Sequence, residues 1–281
     1  MAQKRIAAIH DISGFGKCSL TVALPICSAA GIETAVIPTV VLSTHTGGFK
    51  GYTFRDLTDD IMPIAQHWKK EGITFDAFYT GYLGSLKQVD LVIEAIELLK
   101  TEKTIVATDP AMADNGRLYV GFPEDFPAAM LKLCKKADII IPNITEACLL
   151  LGRRYEEGPY TEEYIEELLG ALYKETGAKI VLTGVYFNDK KLGAAVFDGH
   201  RTDYLMSEKI DALFHGTGDV FASALISAFI RGKNLVSATE IAVKFTVGSM
   251  KRTLRDETYR YGVNFEGEIP SLLKYLGEED E

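Results

Sequence analysis

A glycine-rich segment in the last third of the chain has the composition of a phosphate-binding loop. Positions 216–219 read Gly-Thr-Gly-Asp and run into an apolar segment with small residues at helical spacing. Such a loop leaves the first N–H groups of the helix free at the positive end of its dipole, which favours a phosphate. A carboxylate there repels a resting anion, so Asp219 suits a group that accepts a proton from a hydroxyl during phosphoryl transfer. Asp219 could instead merely cap the helix.

A second glycine-bearing turn follows the first predicted strand. A Walker A loop ending at Lys17 requires Gly at position 11 and Ser or Thr at position 18, and the chain has Asp11 and Cys18. A P-loop is therefore excluded. What remains is a polar loop at the carboxyl end of a strand, where open α/β sheets bind ligands, with Asp11 and Ser13 directed into the crevice.

The same turn also partly matches a dinucleotide-binding fingerprint. Gly14 and Gly16 have the required spacing and Glu33 could bind a ribose, but Ser19 occupies the position of the third Gly or Ala. An NAD-binding oxidoreductase thus stays open as an alternative with an incomplete motif.

Further polar residues follow other predicted strands. Hydroxyls, an imidazole and adjacent glycines are concentrated in the loop 40–52, and Tyr82 follows the strand that ends at Thr80. Loops with this composition commonly bind ligands, although a structural loop is also possible. We expect Tyr82 to reach the crevice beside Asp11.

Two more motifs carry carboxylates. Asp109 and Asp114 follow a buried strand and suit a Mg²⁺ and phosphate site, or an Asx-type turn. Asn143 and Glu146 have the spacing of a helix N-cap and capping box, which by itself requires no function.

These residues must be positioned by alternating strands and helices. The alternation continues from residue 5 to about 183 and predicts a largely parallel sheet with helices on both faces. The Asp198-Gly199 pair predicts a hairpin that adds antiparallel strands at one edge of the sheet. Strands are predicted at 5–10, 33–38, 76–80, 104–108, 137–142, 179–184, 192–197 and 201–206. Helices are predicted at 18–30, 56–71, 87–100, 124–136, from 143, at 161–176, from the glycine loop, and at 235–254.

Bulk composition limits the class of partner. The 281 residues contain 47% hydrophobic and 25% charged residues, which fits one soluble domain spanning 1–281. The net charge of −9 and scattered basic residues argue against nucleic acid and membranes as partners.

No signal-peptide core follows Met1, so we expect a cytoplasmic protein. The four cysteines show no C-x-x-C pair, and we expect reduced, buried thiols, with Cys18 and Cys27 on one helix. The acidic tail 278–281 is expected to be frayed.

Taken together and in order, these motifs resemble the pyridoxal kinases of the ribokinase-like superfamily. The resemblance covers nearly the whole chain. It depends on five motifs: Ser43-Thr-His-Thr-Gly47, Gly81-Tyr82, Asp109-Pro-Ala-Met-Ala-Asp114-Asn-Gly116, Pro142-Asn143-x-x-Glu146 and Gly216-Thr-Gly-Asp219. It implies a three-layer α/β sandwich, ATP-dependent phosphorylation of the 5′-hydroxymethyl group of a B6 vitamer, and a homodimer.

The resemblance also implies roles for individual residues. Asp219 is then the catalytic base, and Gly216, Thr217 and Gly218 form the anion hole. The implied substrate-binding residues are Asp11, Ser13, His45, Thr46 and Tyr82. The implied nucleotide and metal residues are Asp109, Asp114, Asn143 and Thr183 for ATP, and Glu146 with Asp109 for Mg²⁺, with a monovalent cation such as K⁺ nearby.

Three positions depart from the family pattern. Asp11 replaces a common Ser, Gly48 stands where an aromatic residue is usual, and Ile141 replaces a frequent hydroxyl residue. These changes affect the ring site and leave the preferred vitamer open. The alternatives are a hydroxymethylpyrimidine kinase, which usually has Cys in place of Asp219 and lacks the Thr-His-Thr-Gly loop, and, from another class, a nucleotide-binding sensor or the oxidoreductase above.

Overall fold

The structure is a computed structural model that describes residues 3–212, 214–256 and 261–277. The tail 278–281, expected to be frayed, lies outside these residues. The strands in chain order are β1 (Arg5–Ser13), β2 (Glu33–Leu42), β3 (Phe54–Asp56), β4 (Ala77–Thr80), β5 (Ile105–Thr108), β6 (Ala113–Asp114), β7 (Arg117–Leu118), β8 (Ile139–Ile140), β9 (Lys179–Asn188), β10 (Lys191–Phe197) and β11 (Thr202–Glu208). The helices are α1 (Leu20–Ala29), α2 (Thr58–Lys70), α3 (Leu86–Leu99), α4 (Phe126–Cys134), α5 (Ile144–Leu150), α6 (Glu162–Thr176), α7 (Thr217–Ile230), α8 (Leu235–Leu254) and α9 (Ile269–Leu276), with a 3-10 turn at Glu266–Glu268.

A nine-stranded sheet organises the molecule in the order β11-β10-β9-β8-β5-β4-β1-β2-β3. Its six central strands, from β9 to β2, are parallel. The predicted β10–β11 hairpin is antiparallel at one edge, as expected. The opposite edge also ends in an antiparallel strand, β3, which the sequence did not predict because its three residues are all exposed and show no alternation.

Helices cover both faces of the sheet and create two cores. On one face α2 to α6 pack against the sheet, and on the other α1, α7, α8 and α9 do so. Strand β1 contributes to both cores, because Ile9 faces the first and Ile6 faces the second. Each fully buried aliphatic side chain of this kind contributes about 1.5–3 kcal/mol. The predicted largely parallel sheet with two helical layers is confirmed.

The order of the strands places a crevice at one end of the sheet. The chain runs from β1 to β2 on one side and then returns to β4 on the other side of β1. The carboxyl ends of β1 and β4 therefore diverge, and in open α/β sheets ligands bind at such a point. Asp11 and Tyr82 lie at these two strand ends.

Several boundaries differ from the sequence-based expectations, among them the end of β1, which continues to Ser13 and therefore contains Asp11. Strand β2 continues to Leu42, so the start of the expected loop at residue 40 is a strand. Helix α1 begins at Leu20, so Cys18 lies before the helix that it was predicted to share with Cys27. The reason is Ser19, whose φ of 55° is incompatible with a right-handed helix.

Candidate active site

The glycine loop forms the N-terminus of α7 as predicted. Gly216 is the N-cap residue in the left-handed conformation, with φ 81°, and no side chain caps the helix. A Cβ atom at Gly216 would overlap the carbonyl oxygen of Lys17 in the β1–α1 loop, whereas Gly218 faces open space. The first N–H groups of α7 are therefore available to an anion, and only glycine allows this approach of the two loops.

Asp219 lies in the first turn of α7 and is half-buried. Desolvation raises the pKa of its carboxyl from 3.8 to about 7, the backbone N–H of Ser19 opposes this increase, and the negative charge of Asp11 adds to it. Its side chain does not cap the helix. A carboxyl group that titrates near neutrality beside free N–H donors is suited to accept a proton from a bound hydroxyl.

The end of β1 contributes a second acid. Asp11 is buried and accepts a hydrogen bond from the Ser13 hydroxyl at 2.9 Å. Tyr82, half-buried after β4, has its pKa raised to about 12 by burial and by the charge of Asp11, and its ring stacks on Phe122 at 5.3 Å. Asp11, Ser13 and Tyr82 are thus brought together at the divergence of β1 and β4.

The loop between β2 and β3 places its two predicted site residues differently. Thr46 is exposed, whereas His45 is 4% exposed. The Nδ1 atom of His45 accepts a hydrogen bond from the Gly47 N–H at 3.1 Å, and its ring lies 5.0 Å from that of His215. Burial and His215 both lower the pKa of His45. The His45 ring therefore joins this loop to the start of the glycine loop.

The Asn143 motif forms the predicted capping box at the start of α5. The Asn143 side chain accepts from the Glu146 N–H at 2.9 Å, and the Glu146 carboxylate accepts from the Asn143 N–H at 2.9 Å. Glu146 also accepts from the Met112 N–H at 3.1 Å, and burial raises its pKa to about 8. Local geometry alone explains the cap, but burial of the carboxylate is more than capping requires.

Asp109 lies beside this cap at the end of β5. It is buried, and burial together with the charges of Glu146 and Asp219 raises its pKa well above the usual value. Within the described ranges, no lysine or arginine forms an ion pair with any of these three acids. They form a group of buried acids whose raised pKa values show that ionisation is costly without a cation.

Asp114 and Thr183 lie farther toward the periphery of this group. The exposed Asp114 carboxylate accepts hydrogen bonds from the backbone and side chain of the next residue, Asn115. Thr183, on β9, pairs with Asn143 in an isolated bridge, and its hydroxyl donates to the Pro142 carbonyl at 3.4 Å.

Sequence reasoning missed several residues of the site. Ser19 was considered only as the third position of the dinucleotide fingerprint, and His215 was not assigned a role. A cluster of three aromatic rings was not predicted, because its members come from distant loops. The ring centroids of Phe15, Phe49 and Tyr261 lie 4.5–6.1 Å apart. Their only local signal was that each of the three aromatic residues has a glycine as its neighbour in the sequence.

Fold and site together define an α/β protein of the ribokinase-like class. The phosphomethylpyrimidine kinase family model matches residues 26–264, and the chain belongs to this family. No helix in the described part of the chain has the length and apolar character needed to cross a membrane.

Individual relatives of the chain include proteins named pyridoxal kinase. A Bacteroides thetaiotaomicron protein provisionally assigned as a phosphomethylpyrimidine kinase, crystallised with pyridoxal, is 36% identical, with a TM-score of 0.91 and 96% of each chain covered. Pyridoxal kinase from Lactobacillus plantarum is 30% identical, with a TM-score of 0.89 and 98% of each chain covered. Human pyridoxal kinase is 27% identical over 94% of this chain and 88% of the relative.

Proposed function

We propose that this protein is a pyridoxal kinase, which transfers the γ-phosphoryl group of ATP to the 5′-hydroxymethyl oxygen of a B6 vitamer. The observation that carries the proposal is the position of Asp219. Its carboxyl has a pKa of about 7, lies at the glycine loop of α7 and interacts with Asp11 at the expected ring site. Relatives named pyridoxal kinase, and a 36% identical relative crystallised with pyridoxal, support the substrate class.

In this mechanism Asp219 is the base. It accepts the proton of the substrate hydroxyl as the hydroxyl oxygen bonds to the γ-phosphorus and the bond to the β,γ-bridging oxygen breaks, releasing ADP. The N–H groups of Gly216, Thr217 and Gly218 face the phosphoryl oxygens and stabilise their charge. Most of the rate enhancement comes from positioning and charge stabilisation.

The ring site is formed by groups at the ends of β1 and β4 and on the loop after β2. Asp11, Ser13 and Tyr82 provide polar contacts and an aromatic surface, and Thr46, exposed on the loop after β2, is assigned to the same site. His45 is buried against His215, so it acts by shaping this loop. The buried Asp11 carboxylate suits a ring that carries a protonated nitrogen.

Mg²⁺ fits the acids on the other side of Asp219. Asp109 and Glu146 would hold the ion, because these buried acids have no ion-pair partner among the described residues and a bound cation would favour their ionised forms. No cluster of three or more metal-binding side chains occurs in those ranges, so an ion held by Asp109 and Glu146 would need further ligands from water and phosphate. Bound there, it would neutralise charge on the phosphates.

The nucleotide site extends from this acidic group. Asn143, which follows β8, pairs with Thr183 inside β9, and both are assigned to ATP together with Asp109. Asp114, at the exposed β6–β7 hairpin, is assigned to the nucleotide and to a nearby monovalent cation. The family resemblance adds a homodimer, which size-exclusion chromatography with light scattering would measure.

The decisive experiment is an ADP-release assay with pyridoxal, pyridoxine, pyridoxamine and hydroxymethylpyrimidine measured side by side. Turnover with at least one B6 vitamer that exceeds turnover with hydroxymethylpyrimidine supports the proposal. Preference for hydroxymethylpyrimidine would replace it with the alternative kinase. Thermal protection by NAD, and not by ATP with Mg²⁺, would instead favour the oxidoreductase.

A further inference from the structure

Ser19 has an unusual conformation for its position in the fold. It precedes α1 at the N-cap, where a serine side chain normally accepts a hydrogen bond from the helix. Its φ of 55° and ψ of −128° lie in a region that favours glycine, and its side chain makes no cap hydrogen bond. Such a conformation costs about 1–3 kcal/mol and persists only where the surroundings enforce it.

The contacts of Ser19 explain the direction of its side chain. The residue is 6% exposed and forms an isolated bridge with Ile12, which holds it against the end of β1. Its hydroxyl interacts with the buried Asp11 carboxylate, which also accepts from Ser13. Its backbone N–H is directed at the Asp219 carboxylate. One residue therefore contacts two acids that belong to distant parts of the chain.

The neighbours of Ser19 lie against the glycine loop. Gly216 approaches the Lys17 carbonyl so closely that a Cβ atom would overlap it, and the Cys18 sulfur lies 3.5 Å from the same Cβ position. The segment from Lys17 to Ser19 thus fills the space between the end of β1 and the start of α7.

We propose that Ser19 is a positioning residue, whose hydroxyl orients Asp11 toward the ring while its backbone N–H orients the base Asp219. The left-handed conformation serves this purpose, because it directs the hydroxyl and the N–H to different carboxylates. This proposal rests on the proposed function for the roles of Asp11 and Asp219.

Two substitutions separate positioning from structural support. Ser19→Ala removes the hydroxyl and retains the backbone strain, whereas Ser19→Gly removes the hydroxyl and relieves the strain. Both retain the N–H that faces Asp219. We expect both variants to raise the KM for pyridoxal about tenfold, the effect of losing a hydrogen bond to a charged group. The KM for ATP and kcat should change less than about threefold, because neither the glycine loop nor the N–H is altered.

The matched control is Thr161→Ala. Thr161 is the N-cap of α6, and its hydroxyl makes the ordinary cap bond to the Tyr164 N–H at 3.2 Å. This variant should lower Tm without changing the KM for pyridoxal. Ser19→Gly should be at least as stable as Ser19→Ala while sharing its KM defect.

The proposal is overturned if the KM for pyridoxal is raised only in Ser19→Ala, which keeps the backbone strain, and is normal in Ser19→Gly. KM would then follow Tm, which would show a purely structural role for Ser19. An unchanged KM in both variants would do the same. Equilibrium titration with pyridoxal gives an independent measure, since both variants should bind it about tenfold more weakly. If the wild type prefers hydroxymethylpyrimidine, the proposed function fails, and the same comparison with that substrate still tests Ser19.

Discussion

Burial raises the pKa of Asp219, at the start of α7, and the carboxylate of Asp11, at the end of β1, raises it further. Asp11 is itself buried, and its own pKa is raised by that burial. The two acids repel each other when both are ionised, so the charge on one affects the protonation of the other.

Asp219→Asn should lower kcat by about 10²–10⁴-fold, because the amide cannot accept the substrate proton. Steady-state kinetics with circular dichroism would measure turnover and confirm folding. Asp60→Asn, an exposed acid in the first turn of α2, is the matched control and should retain wild-type turnover. Near-normal kcat in a folded Asp219→Asn protein would remove Asp219 as the base.

The value of kcat/KM for pyridoxal should fall as the pH drops below about 7, because Asp219 becomes protonated. Asp11→Asn removes the neighbouring negative charge, so it should lower the pKa of Asp219 and move this acidic limb to lower pH. A pH–rate profile gives the pH at which kcat/KM falls to half of its maximum. This midpoint does not depend on whether Asp11→Asn also raises the KM at every pH. A limb that stays in place would show that Asp11 does not control the ionisation of Asp219.

The free protein should lose stability as the pH rises from about 4 to 8. The pKa of Asp219 is raised from 3.8 to about 7 and that of Glu146 from 4.5 to about 8, so the folded protein retains protons that the unfolded chain has released. Asp219→Asn should therefore gain stability relative to the wild type at pH 8 and lose that advantage by pH 4. Urea unfolding at both pH values tests this, and parallel pH dependences of the two proteins would contradict it.

Gly216→Ala should destabilise the protein by more than the backbone strain alone, which is about 1–2 kcal/mol. The added methyl group would overlap the Lys17 carbonyl. Gly232→Ala is the matched control, because Gly232 also has a positive φ, of 96°, and no atom lies within 4 Å of the Cβ position. Urea unfolding should show a larger loss for Gly216→Ala, together with a raised KM for ATP. Equal losses would mean that the two loops separate at little cost.

Local sequence patterns were sufficient for the capping box and for the alternation of strands and helices. Asn143 and Glu146 interact across a single helical turn, so their three-residue spacing specified the contact. The glycine loop before α7 could also be predicted as an anion-binding loop from the sequence, because every helix start has free backbone N–H groups. Strand β3 was missed, because an exposed edge strand of three residues has no hydrophobic pattern to detect.

The sequence by itself determined which chemical groups stand at the ends of strands and helices, including Asp11, Asp109 and Asp219. Only the tertiary structure decided which of these groups interact and what charge they carry. It turned the Ser19 hydroxyl away from its helix toward Asp11, buried His45 against His215, and brought Asp11 within electrostatic range of Asp219. The physical reason is that caps and turns depend on neighbours within one helical turn, whereas desolvation and charge coupling depend on elements joined by the whole sheet.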